Sequence, residues 1–504
     1  MPIPDRPQVF SQPSSEVPVV FLDDDPLLRK SRERATDSPR GKRPPAEENG
    51  PREPGERLVS LDAYRGFVML AMASGALGFA KIVDRHGADP EIAQPEWWNT
   101  LWQVLAYQFS HVPWVGCSFW DLIQPSFMFI VGVAMPFSFA RREAAGEGRL
   151  KRFAHVVGRA CILIALGVFL SSNGSKFTNF TFVNVLTQIG LGYAFVYLLL
   201  GVPWVIQFFA AAAILGGYWA LFYYVPPPEK EAAQVKQYIE AHQPNQRQIN
   251  PADHLAADRG SFDALPANRW NKHTNTAAMA DRWLLNQLPQ NAELWAPEAA
   301  STSATTDAPA PPKRFWVNTG GYQTLNFVPS MATMLFGVMA GQLLLGPRRR
   351  KTLWLVASGA ACFAVVMALD TAIWPYPIDG CNWSLCPTVK RIWTPTWAVF
   401  STGWTLWLLA AFYWVIDVRK IRGPAFPLVV VGMNSIAMYT MAQLMKPWIA
   451  RTLQTHLTTL SPNLWTNLFG DGNVYGEFCK SLAVLFVLWL ICLWLYRRKI
   501  FIRI

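Results

Sequence analysis

Ten runs of about twenty mostly apolar residues recur along the chain, at roughly 62–82, 119–139, 153–171, 181–200, 203–225, 322–345, 352–374, 394–416, 425–446 and 479–496. A helix needs ~20 apolar residues to cross a hydrocarbon core about 30 Å thick. The pattern therefore predicts an all-α, polytopic membrane protein with about ten transmembrane helices. Polar stretches interrupt it at 1–57 and 226–318. The first contains DDDP, RKSRER and RGKRPP, has no apolar core of signal-peptide length, and reads as a disordered cytoplasmic tail. The second reads as an extracytoplasmic insert between helices five and six. Helices one to five then occupy 58–225, with a candidate site loop at 83–118, and helices six to ten occupy 319–504.

Loop charge sets the orientation. With the N-terminus inside, sixteen Lys and Arg fall in the inner loops 140–152, 347–351 and 417–423 and at the C-terminus, against about five outside: Arg85, Lys176, Lys390, Arg391 and Arg451. This bias predicts that both termini are cytoplasmic. Composition agrees, since 51% of residues are hydrophobic, 16% are charged, and 23 Trp suit interfacial belts. The net charge of +11 could suggest nucleic acid, but its cations lie in short loops between apolar runs, so no nucleic-acid partner is expected. Cysteine spacing suggests no metal site. Cys381 and Cys386, in an outer loop, are close enough in sequence for a disulfide in an oxidising compartment. Trp270, Trp283 and Leu285 recur at near-helical spacing within the insert. This fits either an ordered cap against the outer face or a free surface helix.

Polar residues inside or beside the apolar runs mark candidate chemistry. His111 and Asp121, in HVPWVGCSFWDLIQP, sit at the outer mouth of the second run. Asp121 either caps its helix through the dipole or orients the imidazole as part of a reaction centre. Asp62 and Arg65 share a face at the inner start of the first helix, as an ion pair or as a cavity lining. Asn184 and Gln188, Asn326 beside Pro329, Asp417, and Asn434 add polar groups along the bundle. Together they suggest a hydrophilic path open on both faces. Gly337 and Gly341 form a small-xxx-small face suited to close helix packing.

The order and spacing of SLDAYRG, HVPWVGCSFWDLIQP, VLTQIG, TNTAAMADRW, GGYQTLNFVPS, WTPTW, VIDV and GMNSI resemble the heparan-alpha-glucosaminide N-acetyltransferase family, over most of the chain from about Leu58. The chain looks closer to the bacterial relatives, because it has a polar tail where the animal enzymes carry a large lumenal domain. An Asn late in the first helix of those enzymes falls on Ala76 here. The resemblance implies a membrane acetyltransferase of the bacterial inner membrane that uses cytosolic acetyl-CoA as co-substrate and needs no metal. His111 matches the catalytic histidine, Asp121 the Asp of the D-L-x-x-P motif, and Asp62 and Arg65 the S-x-D-x-x-R-G opening.

On this reading His111 and Asp121 are catalytic, with His111 the general base or acetyl carrier. Asp62, Arg65 and Asn434 contact the cofactor, and Asn326, Asn275 and Asp281 the acceptor. The cations of loop 140–152 are further contacts for the anionic nucleotide of CoA. Expected partners are membrane lipids, acetyl-CoA and a sugar or glycoconjugate acceptor, with a homodimer one permitted assembly. Two rivals remain: a transporter or flippase of a polar or lipid-linked substrate, and a non-catalytic membrane scaffold.

Overall fold

The computed structural model describes residues 58–88, 96–175, 177–242, 269–289, 315–347, 349–371, 384–470 and 473–502. The N-terminal tail and Cys381 lie outside them. Among the described residues the chain is helical apart from two isolated bridges, Val115 with Val389 and Asp370 with Ser384. Eight helical stretches are long and apolar enough to cross a membrane. Two of the ten expected spans depart from that pattern.

The first stretch begins as α1 (Val59–Ser74) and ends in four successive left-handed residues, Gly75 to Gly78, before α2 (Phe79–Ala88) resumes. Two of the four, Ala76 and Leu77, are not glycine and adopt φ of 64° and 53°, which costs about 1–2 kcal/mol each. After α3 (Glu96–Gln108) a short 3-10 turn, Phe119–Leu122, leads into α4 (Ile123–Ala144), which α5 (Arg149–Ser171) follows. The run expected at 181–200 forms only the 14-residue α6 (Val185–Leu198). Its start is fixed late because the Asn184 side chain accepts from Leu186 N at 2.9 Å, while Gln188 Nε2 donates to Phe182 O at 2.6 Å. Residues 181–183 are consequently held outside the helix.

The seventh helix, α7 (Trp204–Tyr224), precedes α8 (Glu229–His242) and α9 (Thr276–Leu285) of the polar stretch. A 3-10 turn at Thr324–Asn326 opens α10 (Phe327–Leu345), followed by α11 (Lys351–Leu369) and α12 (Pro395–Phe412), which closes in a π-turn at Tyr413–Val418. The run expected as one span at 425–446 is bent by 80° between α13 (Phe426–Met433) and α14 (Ser435–Leu444). Asn434 sits at the bend, donating from Nδ2 to Ile500 O at 3.1 Å and accepting from Ile502 N at 2.9 Å. The amphipathic α15 (Lys446–Leu460), short α16 (Leu464–Phe469) and apolar α17 (Gly476–Arg497) complete the chain.

Small residues set the two closest helix crossings. A Cβ on Gly337 of α10 would lie 2.2 Å from Phe129 O of α4, and one on Gly432 of α13 would lie 1.8 Å from Asp62 O of α1. The Gly337–Gly341 face thus performs the packing that its spacing suggests.

The segment around α9 is docked onto the bundle. Trp270 is 2% exposed and stacks on Phe222 of α7 with centroids 4.9 Å apart, and its carbonyl accepts from Trp114 Nε1 at 3.0 Å. Leu285 is buried, whereas Trp283 is 69% exposed. Trp270 and Leu285 are therefore packed into the fold, and Trp283 faces outward. Arg282 Nε donates to Glu231 at 2.6 Å, which fastens α8 to α9.

Candidate active site

One end of the bundle is assembled from the starts of α4, α10 and α12 and the loops before them. The loop at 111–118 pairs with the loop before α12 through the Val115–Val389 bridge and a Gly116 N to Thr388 O bond of 3.2 Å. Thr388 is anchored in turn, its amide and hydroxyl donating to Asp370 Oδ2 at 2.8 and 2.6 Å. Thr394 caps α12 by accepting from Trp397 N. Two loops nearly 280 residues apart are in this way held in register.

Asp121 performs both functions that its position suggests. Its Oδ2 accepts from Val112 N at 3.2 Å and Ser118 N at 3.3 Å, with the Ser118 hydroxyl 2.9 Å away, and so completes a capping box on the turn opening α4. Its Oδ1 faces the other way, 2.7 Å from His111 Nδ1 and 3.1 Å from Lys390 Nζ. A carboxylate beside an ammonium only accepts hydrogen bonds, which assigns the imidazole proton to Nδ1. With Nδ1 protonated, the 3.2 Å approach of Lys390 to that nitrogen is a close cation contact, and the ammonium proton goes to Asp121. His111 Nε2 is left with its lone pair and no hydrogen bond among the described residues.

The electrostatics favour that neutral imidazole. Burial is the main cause that holds His111 below the ordinary histidine value, and Lys390 and Arg391 push it further, while Asp121 opposes them. Lys390 and Asp121 are 5% and 1% exposed, but the His111 side chain is 40% exposed and within reach of a reactant.

A cationic wall adjoins the imidazole. Arg391 donates to Gly320 O at 2.8 Å and to Val112 O at 3.4 Å, and its guanidinium and the Lys390 ammonium lie 5.7 and 5.9 Å from the Tyr322 ring centroid. Lys272 packs against Gly321, and burial followed by Arg391 lowers its pKa to about 8. These groups are absent from the residues singled out by sequence. Lys390 and Arg391 figure there only as loop charge, although two adjacent cations in a loop that the charge count assigns to the outside run against the positive-inside distribution, and that was the available signal.

The expected acceptor contacts have structural partners. Asn326 Nδ2 donates to Arg391 O at 2.7 Å and so fixes the cationic wall. Asn275 is fully buried, caps α9 by accepting from Ala278 N at 2.9 Å, and is not at the imidazole. Asp281 accepts from Thr324 N at 3.0 Å and caps the turn opening α10; burial raises its pKa to about 7. The expected cofactor contacts lie at the other end of the bundle. Asp62 and Arg65 are 3.5 Å apart on α1, Asp417 Oδ2 caps the start of α1 by accepting from Ser60 N at 3.1 Å, and Asn434 holds the C-terminal segment. Asn184 and Gln188 bond across helices, Asn184 Oδ1 accepting from the Tyr439 hydroxyl at 3.1 Å and Gln188 Nε2 donating to Thr324 O at 3.1 Å, while Asn434 Nδ2 donates to Ile500 O. Cys386 is a buried free thiol, its pKa pushed up to about 12 by burial. Among the described residues no group of His, Cys, Asp and Glu is arranged to hold a metal. No family model matches the chain, and no curated protein matches it.

Proposed function

We propose that this protein is a membrane acyltransferase in which His111 Nε2 is the general base for transfer of an acetyl group from acetyl-CoA to an amine or hydroxyl of a sugar. The observation that carries this reading is the Asp121–His111 pair at 2.7 Å, which holds the proton on Nδ1 and presents Nε2 as a base. In the transfer, Nε2 takes the acceptor's N–H or O–H proton as the heteroatom attacks the thioester carbonyl. The C–S bond of the resulting tetrahedral intermediate then breaks, and the proton passes from Nε2 to the departing thiolate. Lys390 and Arg391 place positive charge beside the imidazole, where it favours the oxyanion. An acetyl-imidazole route would use the same nitrogen as the carrier.

The membrane arrangement belongs to the same proposal. Eight stretches are long and apolar enough to cross a membrane, or nine if the bent α13–α14 pair is one span, and this reading takes the short α6 as the tenth. With both termini cytoplasmic, as the loop charges favour, His111 and the α8–α9 cap lie at the extracytoplasmic face of a bacterial inner membrane. Acetyl-CoA enters from the opposite end, and the family resemblance of the sequence motifs supports that direction.

The test uses full-length protein in detergent with labelled acetyl-CoA and a panel of amino sugars. Wild-type protein should transfer label, and His111→Ala should reduce turnover by about 10²–10⁴-fold while leaving CoA binding intact. Unchanged turnover in that variant overturns the assigned base. A wild-type protein that binds no CoA overturns the whole reading.

A further inference from the structure

At the end of the bundle away from His111, α4, α5 and α6 line a small open cleft of about 20 Å³, and its lining includes Arg142, Arg152, His155 and Arg159. Arg152, His155 and Arg159 follow the i, i+3, i+7 spacing that places them on one face of α5. Loop cations at a membrane surface need no special reason, but Arg159 is ten residues into α5, which is about 15 Å along the helix axis. An arginine at that depth in an apolar span marks a functional site.

The arginines keep unused donors and excess charge. Arg142 pairs with Glu147 at 3.0 Å and also donates to His155 Nε2 at 2.8 Å. Arg152 pairs with Glu143 at 3.4 Å and stacks over Phe139 at 4.6 Å. Arg159 makes no ion pair among the described residues; it donates to the Tyr193 hydroxyl at 3.0 Å and lies 4.9 Å from that ring's centroid. The Nε atoms of Arg152 and Arg159 are buried without a hydrogen-bond partner, so the terminal guanidinium nitrogens are the donors left for a ligand in the cleft. Planar guanidinium forks match phosphate oxygens and bind them bidentately.

We propose that this cleft binds the phosphate group of an anionic ligand, with Arg142, Arg152 and Arg159 as its donors. The site rests in part on the acyltransferase reading, because Arg142 and Arg152 belong to loop 140–152, whose cations are the expected contacts for the anionic nucleotide of CoA; Arg159 extends it into α5. A lipid headgroup and a free phosphate compound present the same chemistry. The exposed apolar residues Leu150, Val157 and Ile162 on α5 place lipid chains within reach.

Full-length protein in detergent is titrated with short-chain phosphatidylglycerol, with its phosphatidylcholine counterpart, and with inorganic pyrophosphate, read by native mass spectrometry and thermal shift. Binding of phosphatidylglycerol over phosphatidylcholine, weakened at least tenfold in Arg159→Gln and Arg142→Gln, supports the site with a lipid as its source. The same loss for pyrophosphate supports it with a soluble source. Arg142 is at the helix end and 28% exposed, so its variant remains informative if Arg159→Gln does not fold. Arg159→Lys should recover only part of the binding. No anion binding by wild-type protein, or equal binding by the variants, overturns the proposal. His111→Ala should bind both anions as wild type does, which keeps failure of acetyl transfer distinct from failure of this site.

Discussion

Lys390 Nζ lies 3.1 Å from Asp121 Oδ1 across 269 residues of sequence, and the carboxylate oxygen it meets is the one that holds the His111 imidazole. The ammonium neutralises a buried carboxylate and keeps positive charge against the ring. The pair therefore links the stability of this end of the bundle to the basicity of His111.

Asp121→Asn should separate geometry from charge. The amide keeps the shape of the capping box, but it can donate to Nδ1 and stabilise the wrong tautomer. Turnover should fall by on the order of 10²–10⁴-fold. The variant also leaves Lys390 buried without its counter-charge, which costs about 3–5 kcal/mol. Labelled transfer and thermal unfolding measure the two losses, and wild-type turnover would remove Asp121 from the site.

Activity should fall in acid as His111 gains a proton, with a midpoint below the ordinary histidine value because burial, Lys390 and Arg391 favour the neutral ring. Lys390→Met removes one of those causes, so the acid limb of the pH profile should move to higher pH. A limb that stays in place would show that Lys390 does not tune the imidazole.

Asp281 predicts a pH effect on stability. Burial raises its pKa to about 7 in the folded protein, above the ordinary Asp value of about 3.9. Its contribution is therefore full below the unfolded value and lost as pH rises through about 7. Thermal stability should fall as pH rises from about 4 to about 7 and change little above that. Asp281→Asn, which still accepts from Thr324 N, should show a flatter profile over that interval.

Gly432→Ala should disrupt the α1–α13 crossing, since the new methyl would lie 1.8 Å from Asp62 O. Overpacking of this kind costs about 1–3 kcal/mol or more. Gly423→Ala, with nothing within 4 Å of the added carbon, is the control. Equal thermal stability of the two variants would contradict the packing described.

Docking of the polar segment should contribute comparably. Trp270→Ala removes a buried ring stacked on Phe222 and should cost about 3–5 kcal/mol. Trp283→Ala, at an exposed position, should stay within about 0.5 kcal/mol. Urea or thermal unfolding distinguishes them, and similar losses would mean that the segment is not seated as described.

Sequence by itself determined what depends on local composition. Runs of apolar residues such as Trp204–Tyr224 and Gly476–Arg497 become helices because bilayer thickness and backbone hydrogen bonding leave few alternatives. It also brought out His111 and Asp121, because two ionisable groups at the mouth of an apolar run are conspicuous. Only tertiary structure decided the rest. Asn184 and Asn434 are legible in sequence only as polar groups in apolar runs, and their backbone partners explain why α6 starts late and why α13 and α14 meet at 80°. Lys390 and Arg391 look like ordinary loop charge until the Val115–Val389 bridge brings their loop against His111. Local pattern specifies helices because their hydrogen bonds are local. It cannot specify which distant cation shares a carboxylate with the histidine, because that is settled by packing between loops far apart in sequence.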